Sequence, residues 1–177
     1  MKERNLVEIL LNQADRYQTR TLFRVKKEGR YSDVSWSSVL ESVTRVALAL
    51  ERLGIHKGEC IGLLSENRPE WVYADLGTAA MGAVTVPLYP TASLKDIEYV
   101  LNHCEAKLLF VSTQDQADRI TALSRNLGRL HRVVVFSPGG LAGSVSGGAS
   151  GGDGDRVQSL KELMSSVSLD SSAVAKP

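Results

Sequence analysis

The chain has 177 residues with 21 basic and 20 acidic side chains, so its net charge of +1 provides no strong field to attract nucleic acid or an anionic membrane surface. This length suits one domain that buries roughly 70% of the surface its unfolded form exposes. Two cysteines beside apolar segments and the polar start MKERN favour a reducing, cytoplasmic setting, and no apolar run approaches the roughly 18 residues of a transmembrane helix.

The first fifty residues predict two amphipathic helices separated by a hairpin. Residues 5–18 place apolar side chains three to four positions apart, which predicts a surface helix. The alternating segments at 21–26 and 31–36 predict a hairpin outside the main sheet. Residues 36–53 keep the helical period, with Ser35 as the expected N-cap residue.

From residue 60 the chain alternates short apolar strands with helices. Strands are predicted at residues 60–64, 83–88, 107–111 and 132–136, and helices at residues 68–81, 93–103 and 114–127. The strands are rich in Val, Ile and Leu, so both faces of each strand are expected to be buried. The pattern predicts an α/β fold of three layers, with helices on both faces of a mostly parallel sheet.

The character of the chain changes after this predicted sheet. Residues 137–155 contain eight glycines and no aromatic residue, which predicts a flexible linker. Residues 156–177 predict a short amphipathic helix and a tail. The expected organisation is therefore an α/β subdomain at residues 1–136, the linker and the terminal helix, and the domain is expected to be partial.

The glycine-rich segment invites two catalytic interpretations, and neither fits. A phosphate-binding loop needs a lysine and a fixed strand-to-helix setting, which residues 137–155 lack. The subsegment GASGG matches the nucleophile-elbow pattern, but an elbow needs a later histidine and the last one, His131, lies upstream. The three histidines are also far apart, so neither a catalytic residue nor a metal site is predicted.

The segment SENRPEW, where a predicted strand gives way to a helix, is a candidate ligand-binding turn. Such turns often bind a phosphate or carboxylate. Here Asn67 is the expected helix cap, Pro69 occupies the first turn, and Glu70 complements the positive end of the helix dipole. A simple structural turn is therefore favoured, with a ligand-facing Arg68 as the alternative.

Four segments carry a family resemblance. They are the Gly-x-x-Lys-Gly-Glu turn at residues 54–59, Asn-Arg-Pro-Glu-Trp at 67–71, GAVTVPLYPT at 82–91, and the helix-to-strand step at 97–107. Together they resemble the N-terminal region of the AMP-forming acyl-CoA synthetases, members of the adenylate-forming family, and are most similar to the long-chain fatty acyl-CoA ligases. The resemblance covers about residues 1–136.

The resemblance implies an enzyme that makes an acyl-adenylate from ATP and a fatty acid and then forms a thioester with coenzyme A. For the full-length enzyme it implies ATP, Mg²⁺ and CoA, a partner in the remainder of the adenylation domain, and a cytoplasmic or peripheral membrane location. The family's phosphate loop, which ends in Pro-Lys-Gly, is absent from these 177 residues. The chain is therefore expected to be an inactive N-terminal fragment that binds none of these cofactors tightly.

The resemblance also implies one region close to a ligand. In the family, the turn after the Val-Pro strand lies near the mouth of the coenzyme A channel, which makes Tyr89, Pro90 and Thr91 the candidate residues. The alternative is a rigid strand exit fixed by Pro87 and Pro90.

Two further expectations stay open from the sequence. An incomplete architecture predicts an apolar face and self-association through that face. The alternative function is an autonomous doubly wound module that binds a nucleotide or a protein partner in a pocket of converging polar groups. The acyl chain length is not readable from this sequence.

Overall fold

The computed structural model describes residues 5–137 and 156–169. The helices of these residues are α1 (Leu6–Tyr17), α2 (Trp36–Arg52), α3 (Pro69–Ala80), α4 (Leu94–His103), α5 (Gln114–Thr121) and α6 (Leu160–Ser165), with a short 3-10 helix at Ser124–Asn126. The strands are β1 (Thr21–Lys27), β2 (Arg30–Ser35), β3 (Cys60–Leu64), β4 (Val84–Leu88), β5 (Leu108–Thr113), β6 (Arg132–Ser137) and β7 (Val157–Ser159).

The strands form two separate sheets. β1 and β2 pair as an antiparallel hairpin. The other five form a parallel sheet in the order β4-β3-β5-β6-β7. The predicted α/β fold with a parallel sheet and a separate N-terminal hairpin is therefore confirmed.

Both faces of the central strands are buried, as their apolar sequences predict. One core cluster lies between the sheet and helices α2, α3 and α6, and a second lies between the sheet and α4 and α5. The sheet residues of the first cluster are Ile61, Leu63, Leu108, Phe110, Val134 and Phe136. The sheet residues of the second are Leu64, Leu88, Leu109, Val111, Val133 and Val135. Successive strand residues thus alternate between the two cores.

The N-terminal elements pack on the outside of α2. Leu10 of α1 is buried with Val39 and Val43 of α2, and the hairpin residues Leu22 and Phe23 pack against the same cluster. Helix α2 therefore contacts the sheet with one face and α1 and the hairpin with another. Because it joins these two parts, α2 positions the hairpin relative to the sheet.

The predicted helix cap at Ser35 is confirmed, and Ser93 caps α4 in the same way. The Ser35 hydroxyl accepts a hydrogen bond from the Ser38 backbone N–H at 3.2 Å, and Ser93 accepts one from Asp96 at 3.1 Å. Each bond satisfies one of the free N–H groups at a helix start.

Helix α5 is shorter than the prediction of residues 114–127. It ends at Thr121, and the chain continues through the 3-10 helix. Leu127 and Leu130 are both buried in the second core cluster. The chain must leave the helix axis to bring these two side chains back to the sheet, which accounts for the early helix end.

The helix predicted to begin at residue 156 is wrong in its first part. Val157–Ser159 is a strand that pairs in parallel with β6, and α6 begins only at Leu160. A three-residue strand is too short to show a period in the sequence. Ser159 and Glu162 form a reciprocal capping box at the start of α6.

Helix α6 is docked on the sheet and on α2. Arg45 of α2 donates a hydrogen bond to the Val167 carbonyl at 3.1 Å, and Arg52 donates one to the Ser166 carbonyl. Ser137 is the last residue of β6, so the linker predicted at 137–155 begins one residue later at the earliest. The rest of that prediction, with the GASGG subsegment, lies outside the described residues.

Strand β4 is one edge of the parallel sheet and carries Pro87. Proline suits an edge strand because it lacks a backbone N–H to donate to a further neighbour.

The large apolar side chains that are exposed in the described residues are Leu6, Ile9, Tyr31, Val84, Tyr89 and Tyr99. They come from four different elements and the turn after β4, and self-association through an apolar face stays a prediction. Within residues 5–137 and 156–169, no helix has the length and apolar character needed to cross a bilayer.

Helices α2 and α3 approach each other closely at Gly77. A Cβ atom placed on Gly77 would lie 2.6 Å from Val46 Cγ1 and 2.8 Å from Val46 Cβ. The Val46 Cβ is part of the helix framework and cannot rotate away. Only glycine therefore fits this contact without moving one helix.

We predict that Gly77→Ala lowers the free energy of unfolding by about 1–3 kcal/mol in urea denaturation, because overpacking outweighs the higher helix propensity of alanine. Gly128→Ala is the matched control, since a Cβ there would have no neighbour within 4 Å. Equal effects of the two substitutions would contradict the close packing of α2 and α3.

Candidate functional site

The carboxyl ends of the parallel strands meet at one edge of the sheet, which we call the carboxyl edge. The connection after β3 leads through α3 to β4 on one side, and the connection after β5 leads through α5 to β6 on the other. The crevice between β3 and β5 is therefore the topological switch point, where open α/β sheets commonly bind ligands. Its polar residues are the candidate site.

Arg68 is the centre of this edge. Its Nε donates to Glu70 Oε2 at 2.8 Å, and its Nη2 donates to Ser137 Oγ at 2.7 Å. Its Nη1 lies 3.3 Å from the Ser112 carbonyl oxygen. Arg68 comes after β3, Ser112 lies near the end of β5, and Ser137 ends β6. One guanidinium thus connects the carboxyl ends of these three strands.

The surroundings of Arg68 hold its guanidinium in place. The group lies over the Phe136 ring, 5.6 Å from the centroid, and 3.6 Å from the Glu66 carboxylate. Its side chain is only 19% exposed. Three of its five N–H donors, one on each nitrogen, already have partners, and two carboxylates lie beside the group, so Arg68 is held as a strand-end clamp that is poorly suited to an anionic ligand.

Gln116 organises the polar residues after β5. Its Oε1 accepts hydrogen bonds from the Ser112 backbone N–H and the Ser112 hydroxyl, both at 2.9 Å. It also forms a capping box with Thr113 at the start of α5. Ser112 is fully buried. These bonds satisfy polar groups that would otherwise be buried without partners.

Glu66 lies at the rim of the switch point. Burial acts to raise its pKa, but the neighbouring Ser112 side chain, a backbone hydrogen bond and the charge of Arg68 outweigh burial and hold the pKa below its usual value. Its carboxylate is therefore ionised at neutral pH. Two carboxylates, those of Glu66 and Glu70, thus lie beside one guanidinium, so the negative charge of the crevice exceeds its positive charge.

The prediction that Asn67 caps α3 is wrong by one residue. The N-cap residue is Arg68, it makes no side-chain capping bond, and Asn67 is exposed. Pro69 occupies the first helical position as predicted, and Glu70 lies in the first turn. The Glu70 carboxylate binds Arg68, because this partly buried guanidinium needs an anionic partner more than the exposed helix start does.

The candidate ligand residues Tyr89, Pro90 and Thr91 follow β4 at the same edge. Tyr89 is 81% exposed, and its carbonyl accepts a hydrogen bond from the Ala92 backbone N–H at 2.9 Å, which closes a tight turn. β3 lies between β4 and β5, so this turn is separated from the Ser112 side of the Arg68 cluster. The structure brings the three residues to the carboxyl edge but not into one pocket with Gln116.

The Gly-x-x-Lys-Gly-Glu turn lies at the opposite, amino edge. Gly54 and Gly58 have φ of +74° and +84°, conformations that favour glycine. Glu59 accepts a hydrogen bond from the His56 backbone N–H at 2.9 Å and forms an ion pair with Lys107. This motif therefore builds the turn into β3 and contributes nothing to the carboxyl edge.

Sequence reasoning missed the partners of Arg68. Ser112 and Ser137, which bind Arg68 directly, lie 44 and 69 residues after it in the chain. Gln116 is linked to Arg68 only through Ser112. The Thr-x-x-Gln spacing at Thr113 was a readable signal for the cap but not for the cluster. Among residues 5–137 and 156–169, no group of three or more His, Cys, Asp or Glu side chains could hold a metal ion.

Comparison with known proteins assigns the fold to a family. A family model described as AMP-binding enzyme matches residues 10–158. The chain belongs to the AMP-binding enzyme family. The long-chain-fatty-acid–CoA ligase FadD15 of Mycobacterium tuberculosis is 33% identical over 113 residues, which are 64% of this chain and 19% of FadD15.

Solved structures of this family share the fold. The anthranilate CoA ligase AuaEII, determined in complex with anthranoyl-AMP, matches with a TM-score of 0.72 and 26% identity over 92% of this chain and 28% of that chain. The long-chain-fatty-acid–CoA ligase FadD1 from Archaeoglobus fulgidus has a TM-score of 0.73 and 21% identity over 94% and 31%. The resemblance to adenylate-forming enzymes is thus confirmed, and this chain spans about a fifth of the length of FadD15.

We predict that Arg68→Ala lowers the free energy of unfolding by about 2–4 kcal/mol, because it leaves the Ser112 carbonyl and the Glu70 carboxylate without their charged partner. Arg68→Lys restores only part of this, since an ammonium cannot reach three directions in one plane. Urea denaturation measures both variants.

Arg24→Ala is the matched control. Arg24 pairs with Asp33 at 2.8 Å on the exposed hairpin, with 66% of its side chain accessible. Its removal should change the free energy of unfolding by less than about 1 kcal/mol. If Arg68→Ala costs no more than Arg24→Ala, Arg68 does not clamp the strand ends.

Proposed function

We propose that this chain forms the N-terminal α/β subdomain of an AMP-forming long-chain fatty acyl-CoA ligase. The observation that carries the proposal is the match of the family model to residues 10–158. FadD15, 33% identical over 113 residues, is named a long-chain-fatty-acid–CoA ligase, which supports a fatty acid as the substrate. The complete enzyme would activate the fatty acid as an acyl-adenylate with release of pyrophosphate, and the thiol of CoA would then displace AMP.

The subdomain acts as a structural wall of the enzyme and has no ligase activity alone. The Arg68 guanidinium is the central cation at the switch point, and its three nitrogens are occupied by Glu70, Ser112 and Ser137. A nucleotide phosphate at this guanidinium would be repelled by the neighbouring Glu66 and Glu70 carboxylates. This supports the proposal that ATP, Mg²⁺ and the reacting end of CoA are held by other parts of the enzyme.

Tyr89, Pro90 and Thr91 contribute to the entrance of the coenzyme A channel. The three residues are exposed at the carboxyl edge, where a ligand can reach them. Pro87 and Pro90 restrict the backbone on either side of Tyr89. The exposed tyrosine ring is thus presented on a rigid turn, a suitable surface for the pantetheine arm or the adenine of CoA.

We predict that the purified 177-residue chain forms no palmitoyl-CoA from palmitate, ATP and CoA, because the groups that bind ATP lie elsewhere. Thioester formation is measured with FadD15 as the positive control. Turnover by this chain above the protein-free blank would contradict the proposal that it is only a structural part of the enzyme.

The role of the Tyr89 turn is tested in a chimera in which this chain replaces the matching N-terminal segment of FadD15. We predict that Tyr89→Ala raises the KM for CoA by about three- to tenfold, with less than a twofold change in the KM for ATP, because only CoA passes the turn. Tyr99→Ala is the control, since Tyr99 is similarly exposed at 67% but lies on α4. Equal changes for the two variants, or for the two substrates, would contradict the placement of the turn at the channel.

A further inference from the structure

The two cysteines of the chain meet at the amino edge of the sheet. Cys60 is the first residue of β3. Side chains alternate along a strand, so Cys60 points to the same face as Gly62. The face at Gly62 is covered by α4, because a Cβ placed there would lie 2.8 Å from Leu101 Cδ2. Helix α4 therefore packs over the face that carries Cys60.

Helix α4 brings Cys104 to the same place. It connects the carboxyl end of β4 with the amino end of β5, so it runs opposite to the strands. Cys104 is its C-cap residue and lies three positions after Leu101, on the same helix face. Leu101 packs over Gly62. Cys104 therefore lies over Cys60, the residue that precedes Gly62 on the same face of β3. The Lys107 backbone N–H, which donates to the Cys60 carbonyl at 3.1 Å, fixes this register.

The chemical surroundings agree with this juxtaposition. Both thiols are free and partly exposed, so a small oxidant can reach them. Burial raises the pKa of Cys104, and the neighbouring Cys60 thiol raises it further. Cys104 is therefore mostly a neutral thiol at neutral pH.

We propose that Cys60 and Cys104 form a redox-active pair that a peroxide converts into an intramolecular disulfide between β3 and α4. The thiolate of one cysteine attacks a peroxide oxygen, the O–O bond breaks, and hydroxide leaves with a proton as water, which gives a sulfenic acid. The second sulfur attacks this sulfenic sulfur, the S–O bond breaks, and a second water leaves. Two thiols thus lose two protons and two electrons, and one hydrogen peroxide becomes two waters.

The disulfide would close a loop that contains α3, β4 and the Tyr89 turn. Oxidation would therefore restrain that whole segment against the sheet, and reduction by a thiol would release it. This inference concerns the amino edge and does not depend on the proposed ligase function.

The test begins with the reduced 177-residue chain under native conditions, treated with hydrogen peroxide. We expect both free thiols to disappear together, the mass of the monomer to fall by about 2 Da, and a peptide linking Cys60 to Cys104 to be found after proteolysis. Cys60→Ser and Cys104→Ser, the matched controls, should each keep a monomer that cannot lose this mass. Two persistent thiols, separate oxidation of each cysteine, or disulfides only between chains would overturn the proposal.

A second measurement needs no variant. The disulfide of the unsubstituted chain is equilibrated with reduced and oxidised glutathione in native buffer and in concentrated urea. Because the fold holds the two thiols together, the equilibrium constant should be at least about tenfold larger in native buffer. An equal or smaller value in native buffer would show that the fold does not bring the cysteines together.

Discussion

Burial of both faces of β3, β5 and β6 is the constraint on which the rest of this structure depends. The side chains of these strands alternate between two apolar cores, so almost no polar group can lie along their length. Polar chemistry is therefore confined to the strand ends. The carboxyl edge carries the Arg68 cluster, and the amino edge carries the Glu59–Lys107 ion pair and the two cysteines.

The Arg68 cluster shows how such an edge is stabilised without a ligand. A planar guanidinium can donate in several directions at once, and here its acceptors lie on helix α3 and on strands β5 and β6. Glu70 balances its charge, and Phe136 covers one of its faces. Each nitrogen of the guanidinium is thus tied to another part of the chain. The edge is poorly suited to phosphate binding, because the Glu66 and Glu70 carboxylates beside Arg68 would repel a phosphate.

The sequence predicted the regular elements well because their signals are local. The apolar run of β3 and the helical period of α2 gave bounds within one residue, and the serine cap at Ser35 is a short-range hydrogen bond. β7 was missed because its three residues become a strand only by pairing with β6. Its identity depends on tertiary contact rather than on propensity.

The candidate site was less predictable for the same physical reason. Asn67 and Arg68 are both polar residues before a helix, and the sequence favoured Asn67 as the cap because of its propensity. The observed N-cap is Arg68, whose side chain binds Ser137 on a distant strand. The Tyr89 turn was placed correctly at a strand end by family resemblance, while its role at a coenzyme A channel remains a prediction.

If this fold is structural and the groups that bind the nucleotide lie elsewhere in the enzyme, the 177-residue chain should not bind ATP. Isothermal titration calorimetry of the chain with Mg²⁺ and ATP measures this binding. We expect no saturable heat, which corresponds to a Kd weaker than about 1 mM, or less than about 4 kcal/mol of binding free energy. A saturable isotherm of one ATP per chain with a micromolar Kd would contradict it and would indicate an autonomous nucleotide-binding module instead.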